Sequence, residues 1–145
     1  MDFLTSMKIS SSGLNVQRKL METVSSNLAN IETTRTPEGG PYRRKEVVVS
    51  ALPLEEDFNE ILQSELGENV LKTMITDIIE DQSAPKLVFK PNHPDANEAG
   101  YVAMPNVELM TEMVNLVTST RGFEANVTAM NAAKSMAQRA IELGR

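Results

Sequence analysis

The sequence contains no cysteine and no tryptophan, a single histidine, and only 4% aromatic residues. Without cysteine the chain has no disulfide, no thiolate nucleophile and no cysteine-based metal site, and it suits either a reducing or an oxidising compartment. Much of the apolar volume comes instead from nine methionines, whose flexible side chains suit adaptable packing. At 145 residues, the composition predicts one or two small domains with a thin core.

Long apolar runs are also absent. No segment approaches the roughly 20 apolar residues that a helix needs to span a bilayer. At the start of the chain Asp2 precedes any basic residue, and the apolar stretch before Ser12 is short. We therefore expect no cleavable signal peptide in this segment.

Charge is scarce at both ends and concentrated in the middle. The whole chain has a net charge of −6, and residues 32–101 hold 14 acidic and 7 basic residues, so the ends are nearly neutral. The only basic cluster, Arg43-Arg44-Lys45, has no aromatic stacking platform beside it, which argues against nucleic-acid binding.

Residues 106–144 carry the strongest periodic signal. Their apolar positions advance by four and three, which predicts one long helix, about 55 Å at 1.5 Å per residue, with Asn106 as its N-cap and Gly144 as its stop. We call this row the C-terminal seam; its assembly positions are Leu109, Met113, Leu116, Phe123, Val127 and Met130, and Ala137 and Ile141 continue it.

Between Met113 and Ala133 the only charged residues of this helix are Arg121 and Glu124. Away from the seam it carries small or polar residues, which let neighbouring backbones approach closely: Asn115, Thr118, Ser119, Gly122, Thr128, Ala129, Ala132 and Ser135. This pattern favours burial on several sides by neighbouring helices. The alternative is an ordinary two-helix hairpin with a face rich in serine and threonine.

The N-terminal segment has the same organisation. Its apolar row repeats at intervals of seven and forms what we call the N-terminal seam: Met7, Leu14, Met21 and Leu28. Gly13 is expected to weaken or kink this helix, because glycine costs about 1 kcal/mol relative to alanine in a helix. Two seams at opposite ends of one chain predict an antiparallel helix pair.

Between the helices the pattern predicts a small β-rich lobe. Four segments read as strands, bounded by turn residues: Tyr42–Ala51, Leu71–Ile79, Lys86–Lys90 and Gly100–Met104. An acidic insert near residues 55–68 is consistent with a short helix or a loop. The predicted fold is mainly α, with residues 1–34 and 106–145 as a helical coiled-coil assembly domain that packs in a tubular assembly and residues 35–105 as an outer lobe.

Catalytic or metal-binding chemistry has little support. His93 has only Asp95 and Glu98 as nearby donors, and no further ligand set is visible. The paired carboxylates lie in acidic runs without a pocket, and Gly39-Gly40 lacks the lysine of a phosphate-binding loop. We therefore expect neither an enzyme nor a cofactor, metal or small-molecule substrate.

Arg121, Gly122 and Glu124 interrupt the neutral helix. Arg121 and Glu124 have the spacing of a surface pair worth a few tenths of a kcal/mol, but isolated charges also set register between neighbouring helices. Gly122 is costly in a helix interior, so we expect it where another helix approaches closely. All three are predicted inter-subunit packing residues.

Several motifs resemble those of the bacterial flagellar axial proteins, the family of rod, hook and hook-associated proteins. Residues 25–31 (SSNLANI) with Thr33-Thr34 are similar to its N-terminal signature, and residues 106–109 (NVEL) through 121–126 (RGFEAN) are similar to its C-terminal segment. Residues 37–44 (PEGGPYRR), 85–89 (PKLVF) and 93–96 (HPDA) resemble the proximal rod members. The acidic insert and Gly122 depart from the family pattern.

The resemblance implies a structural subunit of the flagellar basal body. It implies export by the flagellar type III apparatus without a cleaved signal, and terminal helices that line the export channel with the lobe outside. The implied partners are copies of the chain, other rod proteins, and components of the MS ring, export gate and rod adaptor. A cytosolic coiled-coil adaptor or export chaperone is the alternative, although it would show a charged outer helix face.

Overall fold

The computed structural model describes residues 3–53 and 71–144. In chain order the elements are α1 (Phe3–Ala29), β1 (Lys45–Pro53), β2 (Leu71–Glu80), β3 (Lys86–Phe89), β4 (Tyr101–Met104) and α2 (Leu109–Leu143). The chain is thus mainly α, with two long terminal helices around a small β portion. The acidic insert near residues 55–68 lies outside the described residues.

The two helices pack side by side and run antiparallel. Gly13 of α1 lies against Asn126 of α2, and Asn27, near the end of α1, bonds to Glu112, near the start of α2. The predicted weak point at Gly13 is not a break, since α1 is continuous through it.

The four strands form two separate antiparallel hairpins, β1–β2 and β3–β4. Lys45 pairs with Glu80 at one end of the first hairpin, and a bulge shifts its register between Val48 and Val49. This hairpin packs on α1, where the hydroxyl oxygens of Ser12 and Thr73 are 3.3 Å apart.

The observed C-terminal helix begins later than predicted. Asn106 is not its N-cap: Glu108 occupies that position in extended conformation and makes no side-chain capping bond. Val107 is buried, and the backbone bends at Asn106. The helix therefore begins only at Leu109, while Gly144 ends it as predicted.

The buried apolar core of the described chain is small. It consists of five residues, Val16, Val24, Val102, Val107 and Ala133, and four polar residues are equally buried: Thr23, Asn27, Glu112 and Ser119. None of the helices in the described ranges is long and apolar enough to cross a membrane.

Candidate functional site

The polar groups at the end of α1 are organised around Asn27, which is 1% exposed. Its Nδ2 donates to the carbonyl oxygen of Lys45 at 2.9 Å, and its Oδ1 accepts from the Lys45 N–H at 2.9 Å. The Tyr42 hydroxyl donates to the same Oδ1 at 2.9 Å. The carboxamide thus pairs with the backbone at the start of β1 as a peptide group of a neighbouring strand would.

Glu112 brings the first turn of α2 to the same point. Its side chain is 0% exposed, and its Oε1 accepts from Arg44 Nε at 2.8 Å. Its Oε2 accepts from Asn27 Nδ2 at 3.1 Å. Because an isolated buried carboxylate is strongly unfavourable, these two donors are what make its burial tolerable.

The charge on Arg44 is held by this arrangement. Burial of the guanidinium lowers its pKa, but the hydrogen bond to Glu112 and the charges of Glu112 and Glu46 together raise it. Arg44 therefore remains cationic and matches the buried carboxylate. We call the set Asn27, Tyr42, Arg44 and Glu112 the polar junction.

Asp81 ties the end of β2 to the same region. The Arg44 carbonyl oxygen accepts from the Asp81 N–H at 2.8 Å. Hydrogen bonds from the Ser83 hydroxyl and N–H to the Asp81 carboxylate lower its pKa, and Arg44 and Asn106 add smaller effects in the same direction. The polar junction thus fixes α1, both strands of the first hairpin and α2 relative to one another.

His93 lies elsewhere, in the turn between β3 and β4. Its Nδ1 accepts from the Asp95 N–H at 3.1 Å, and the Asp95 carboxylate accepts from the Thr34 hydroxyl at 2.8 Å. Within residues 3–53 and 71–144, no group of three metal-binding side chains is found. These contacts hold one loop to another.

The seam residues fall in two sets. On α2, Leu116, Phe123, Val127 and Met130 are partly buried, whereas Leu109 and Met113 are about half exposed. On α1, Met7, Leu14, Met21 and Leu28 are all partly buried. The most buried positions of the pair are instead Val16, Thr23, Val24, Asn27, Glu112, Ser119 and Ala133.

The residues of α2 that contact α1 are therefore offset by about one position from the C-terminal seam. They combine Leu116, Phe123 and Met130 with a row of small or polar residues: Glu112, Ser119, Asn126 and Ala133. Neither seam is tested as an assembly surface by this contact, and both remain predictions in that role.

The predicted packing residues also separate. Arg121 and Glu124 are exposed, and no ion pair joins them among the described residues. Gly122 is partly buried and faces Gln17 of the same chain. Ser119 and Gly122, which we expected on the far side of the helix, lie towards α1.

Sequence reasoning did not single out the polar junction. Asn27 entered only as part of a signature, and Arg44 only as part of a basic cluster and of the motif at residues 37–44. The available signal was a polar residue inside each periodic segment, Asn27 between Val24 and Leu28, and Glu112 beside Met113. Tyr42, which the sequence pattern placed in the first predicted strand, lies before β1.

Comparison with known proteins gives matches at both ends and along the whole chain. A family model described as "Flagella basal body rod protein" matches residues 7–35, which include Asn27. A second, "Flagellar basal body rod FlgEFG protein C-terminal", matches residues 98–143, which include Glu112.

Full-length relatives carry one name. The chain is 48% identical to "Flagellar basal-body rod protein FlgC" of Bacillus subtilis, over 97% of each chain. It is 36% identical to the protein of that name from Borreliella burgdorferi, over 99% of this chain and 98% of the relative. The protein of that name from Escherichia coli O157:H7 is 37% identical over 100% of both chains.

Proposed function

The chain belongs to the family of flagellar basal-body rod proteins that contains its FlgC relatives, and from this premise we propose that it polymerises through its terminal helices into the wall of the proximal rod. The chain is a structural rod subunit, which is favoured over a cytosolic coiled-coil adaptor or export chaperone. In the proposed assembly, residues 1–34 and 106–145 form the tube that transmits motor torque and encloses the export channel, and residues 35–105 lie outside it.

One observation carries this proposal: α2 exposes an apolar row to solvent. We call it the outer row; it consists of Leu109, Met110, Met113, Val114 and Val117, of which Met110 is 69% and Val114 is 62% exposed. The opposite face of the same helix buries Glu112 and Ser119. A helix that buries polar residues while five large apolar ones stay exposed is not complete as an isolated chain.

Neighbouring subunits would supply the missing cover. Fully burying an aliphatic or methionine side chain contributes about 1.5–3 kcal/mol, so covering five that are already partly buried contributes about 1 kcal/mol each. This is enough to favour association once it is repeated at every subunit. Farther along the exposed side of α2, Thr128, Ala132 and Ser135 are small, and they would allow a second helix to approach closely.

Arg121 and Glu124 lie where the outer row ends and the small residues begin. Because both are exposed, we propose that they pair with charges on neighbouring subunits and fix the helix register there. Gly122 remains a proposed inter-subunit packing position, although it also contacts Gln17 of its own chain. The proposed partners are copies of the chain, other rod proteins, and components of the MS ring, export gate and rod adaptor.

The proposed location is the periplasmic rod, reached through the flagellar type III apparatus without a cleaved signal. This part rests on the family resemblance alone. Export and assembly can be measured separately, because a subunit that is secreted but not incorporated into the rod has failed only in assembly.

The test replaces the genomic copy with Val114→Asp, which puts a charge in the middle of the outer row. We expect secretion at the normal level, no recovery of the protein with detergent-extracted basal bodies, and loss of swimming, since the carboxylate would be buried without a partner. Ala99→Asp is the matched control and should swim normally, because it adds the same charge at an exposed position among residues 35–105, which are proposed to lie outside the tube. Normal swimming of the Val114→Asp strain would refute the outer row as an assembly surface.

A further inference from the structure

We propose that two reciprocal glycine–carboxamide contacts select the register in which α1 and α2 pair. The need for such a device follows from the sequence. The N-terminal seam repeats at intervals of seven residues, and Leu109, Leu116, Phe123 and Met130 repeat at the same interval on α2. A slip of one heptad, about 10 Å along the helix, would bring equivalent apolar residues together again.

The first contact places Asn126 of α2 against Gly13 of α1. A Cβ atom on Gly13 would lie 2.9 Å from Asn126 Oδ1 and 3.0 Å from Nδ2, closer than real Cβ atoms approach. The carboxamide is tethered there, because its Nδ2 donates to the Gly122 carbonyl oxygen at 2.9 Å. A Cβ atom at position 13 would therefore require the carboxamide to move away from this bond.

In the second contact the two helices exchange roles. Here Gln17 of α1 packs against Gly122 of α2, and a Cβ atom on Gly122 would lie 2.8 Å from Gln17 Cδ. Each helix therefore presents a glycine followed four residues later by a carboxamide, Gly13 with Gln17 and Gly122 with Asn126. In an antiparallel pair, each glycine meets the carboxamide of the other helix.

The arrangement works in one register only. A slip of one heptad would place Gln17 opposite Ala129 in one direction and opposite Asn115 in the other. In the first slip Asn126 would meet Leu20. A carboxamide would then lie against a side chain instead of the space above a glycine, while Glu112 would leave Arg44 and Asn27. The apolar repeats favour pairing, and the two contacts decide its alignment.

Disulfide reporters can read the register directly, because the chain has no cysteine of its own. Leu20→Cys with Ser119→Cys reports the observed register, since this pair has the same alignment as Gly13 with Asn126 and Gln17 with Gly122, and both residues line one cavity between the helices and β1. Val16→Cys with Met130→Cys, and Val16→Cys with Leu116→Cys, report the two slipped registers. A displacement of about 10 Å exceeds the span that a disulfide bridges, so each reporter is selective.

The variants are made in the purified full-length chain carrying one reporter pair at a time. We expect Gly122→Gln to lower the yield of the native-register disulfide relative to the slipped ones by about fivefold or more, because overpacking opposes that register. The exchange Gly122→Gln with Gln17→Gly should restore it, since the carboxamide then comes from the other helix. Thr128→Gln, which adds the same group at a position of α2 that is exposed and whose heptad equivalents Arg121 and Ser135 are exposed too, should leave the yields unchanged.

A second variant covers the case in which Gly122→Gln fails to fold. Gln17→Ala with Asn126→Ala introduces no bulk, and it should raise the slipped-register disulfides while helix content measured by circular dichroism is kept. Equal native yields in all variants would overturn the proposal, as would failure of the exchange variant to restore the register. These measurements need no rod assembly, so either outcome leaves the proposed function to be judged by Val114→Asp.

Discussion

The two ends of the helix pair are held in opposite ways. Where α1 ends and α2 begins, the buried Glu112 and Asn27 bond to Arg44, Tyr42 and the start of β1. At the other end the last turns of α2 expose large apolar side chains, with Ile141 at 68% and Leu143 at 89%. One end is fixed within the chain by polar groups, although the exposed outer row lies beside them, and the other end leaves large apolar side chains exposed.

This difference separates internal order from surface kept for contacts. The polar junction uses directional bonds, which define one arrangement of α1, α2 and the first hairpin. The apolar side chains at the opposite end have no such geometry and can fit whatever surface covers them. Variants at the two ends should therefore differ first in the stability of the purified chain.

The largest effect is expected from Arg44→Ala. It leaves the Glu112 carboxylate buried without its cation, and removing one partner of a buried pair costs about 3–5 kcal/mol. We expect the lower part of this range, because the Arg44 side chain is partly exposed. Urea unfolding of the purified chain measures the loss, and adding Glu112→Gln should recover part of it. A loss below about 1 kcal/mol would show that the junction does not hold this end.

A smaller loss is expected from Asn27→Ala. It removes the partner of the Lys45 N–H and carbonyl and of the Tyr42 hydroxyl, and unsatisfied buried polar groups cost about 1–3 kcal/mol. Asn15→Ala, at an exposed position of the same helix, is the control and should change the free energy of unfolding by less than about 0.5 kcal/mol. Equal effects of the two changes would contradict the role assigned to the carboxamide.

At the opposite end, Ile141→Ala with Leu143→Ala should change the stability of the purified chain by about 0.5 kcal/mol or less, because both side chains are already exposed. The same urea titration measures it. If the double variant lost as much as Asn27→Ala, these residues would be packed within the chain, and the contrast between the two ends would be false.

The smallest effect concerns pH. The lowered pKa of Asp81 means that its contribution to stability is present above the ordinary aspartate pKa, near 4, and is lost as pH falls through the lowered value. Asp81→Asn should therefore destabilise the chain at pH 7, and its difference from the unaltered chain should shrink at pH 3. The raised pKa of Arg44 adds no pH dependence near neutrality, since that contribution is lost only in strong alkali. A constant difference between pH 7 and pH 3 would argue against the Asp81 carboxylate as the source.

Much of the fold was predictable because local patterns are strong in this chain. Both helices, their antiparallel pairing and the four strands follow from periodicity and turn residues, with bounds shifted by a few positions. The start of α2 was missed because Val107 is buried in the fold and Glu108 is extended, so the helix begins two residues later than predicted. The burial of Val107 depends on the folded chain and is not visible in the local sequence.

The site was harder to predict, because it inverts the usual rule. Periodicity places apolar residues towards the partner helix, yet Glu112 and Asn27 are buried while Met110 and Val114 are exposed. The rule assumes that a chain buries its most apolar face against itself. Here Glu112 and Asn27 bond to partners in the same chain. The orientation of α2 that buries Glu112 follows from those contacts and not from the periodicity of its apolar residues.

The contact between Asn27 and Lys45 also bears on aggregation. The first hairpin has two strands, so each has a free edge, and exposed edges are templates for unwanted strand pairing. The Arg44 carbonyl bonds to Asp81 on the β2 side, and the N–H and carbonyl of Lys45 point the other way, where Asn27 takes both. A foreign strand approaching the free edge of β1 would have to displace a buried side chain of α1 before making its first pair of bonds. The same carboxamide that joins helix to hairpin thus blocks the edge where the strand begins.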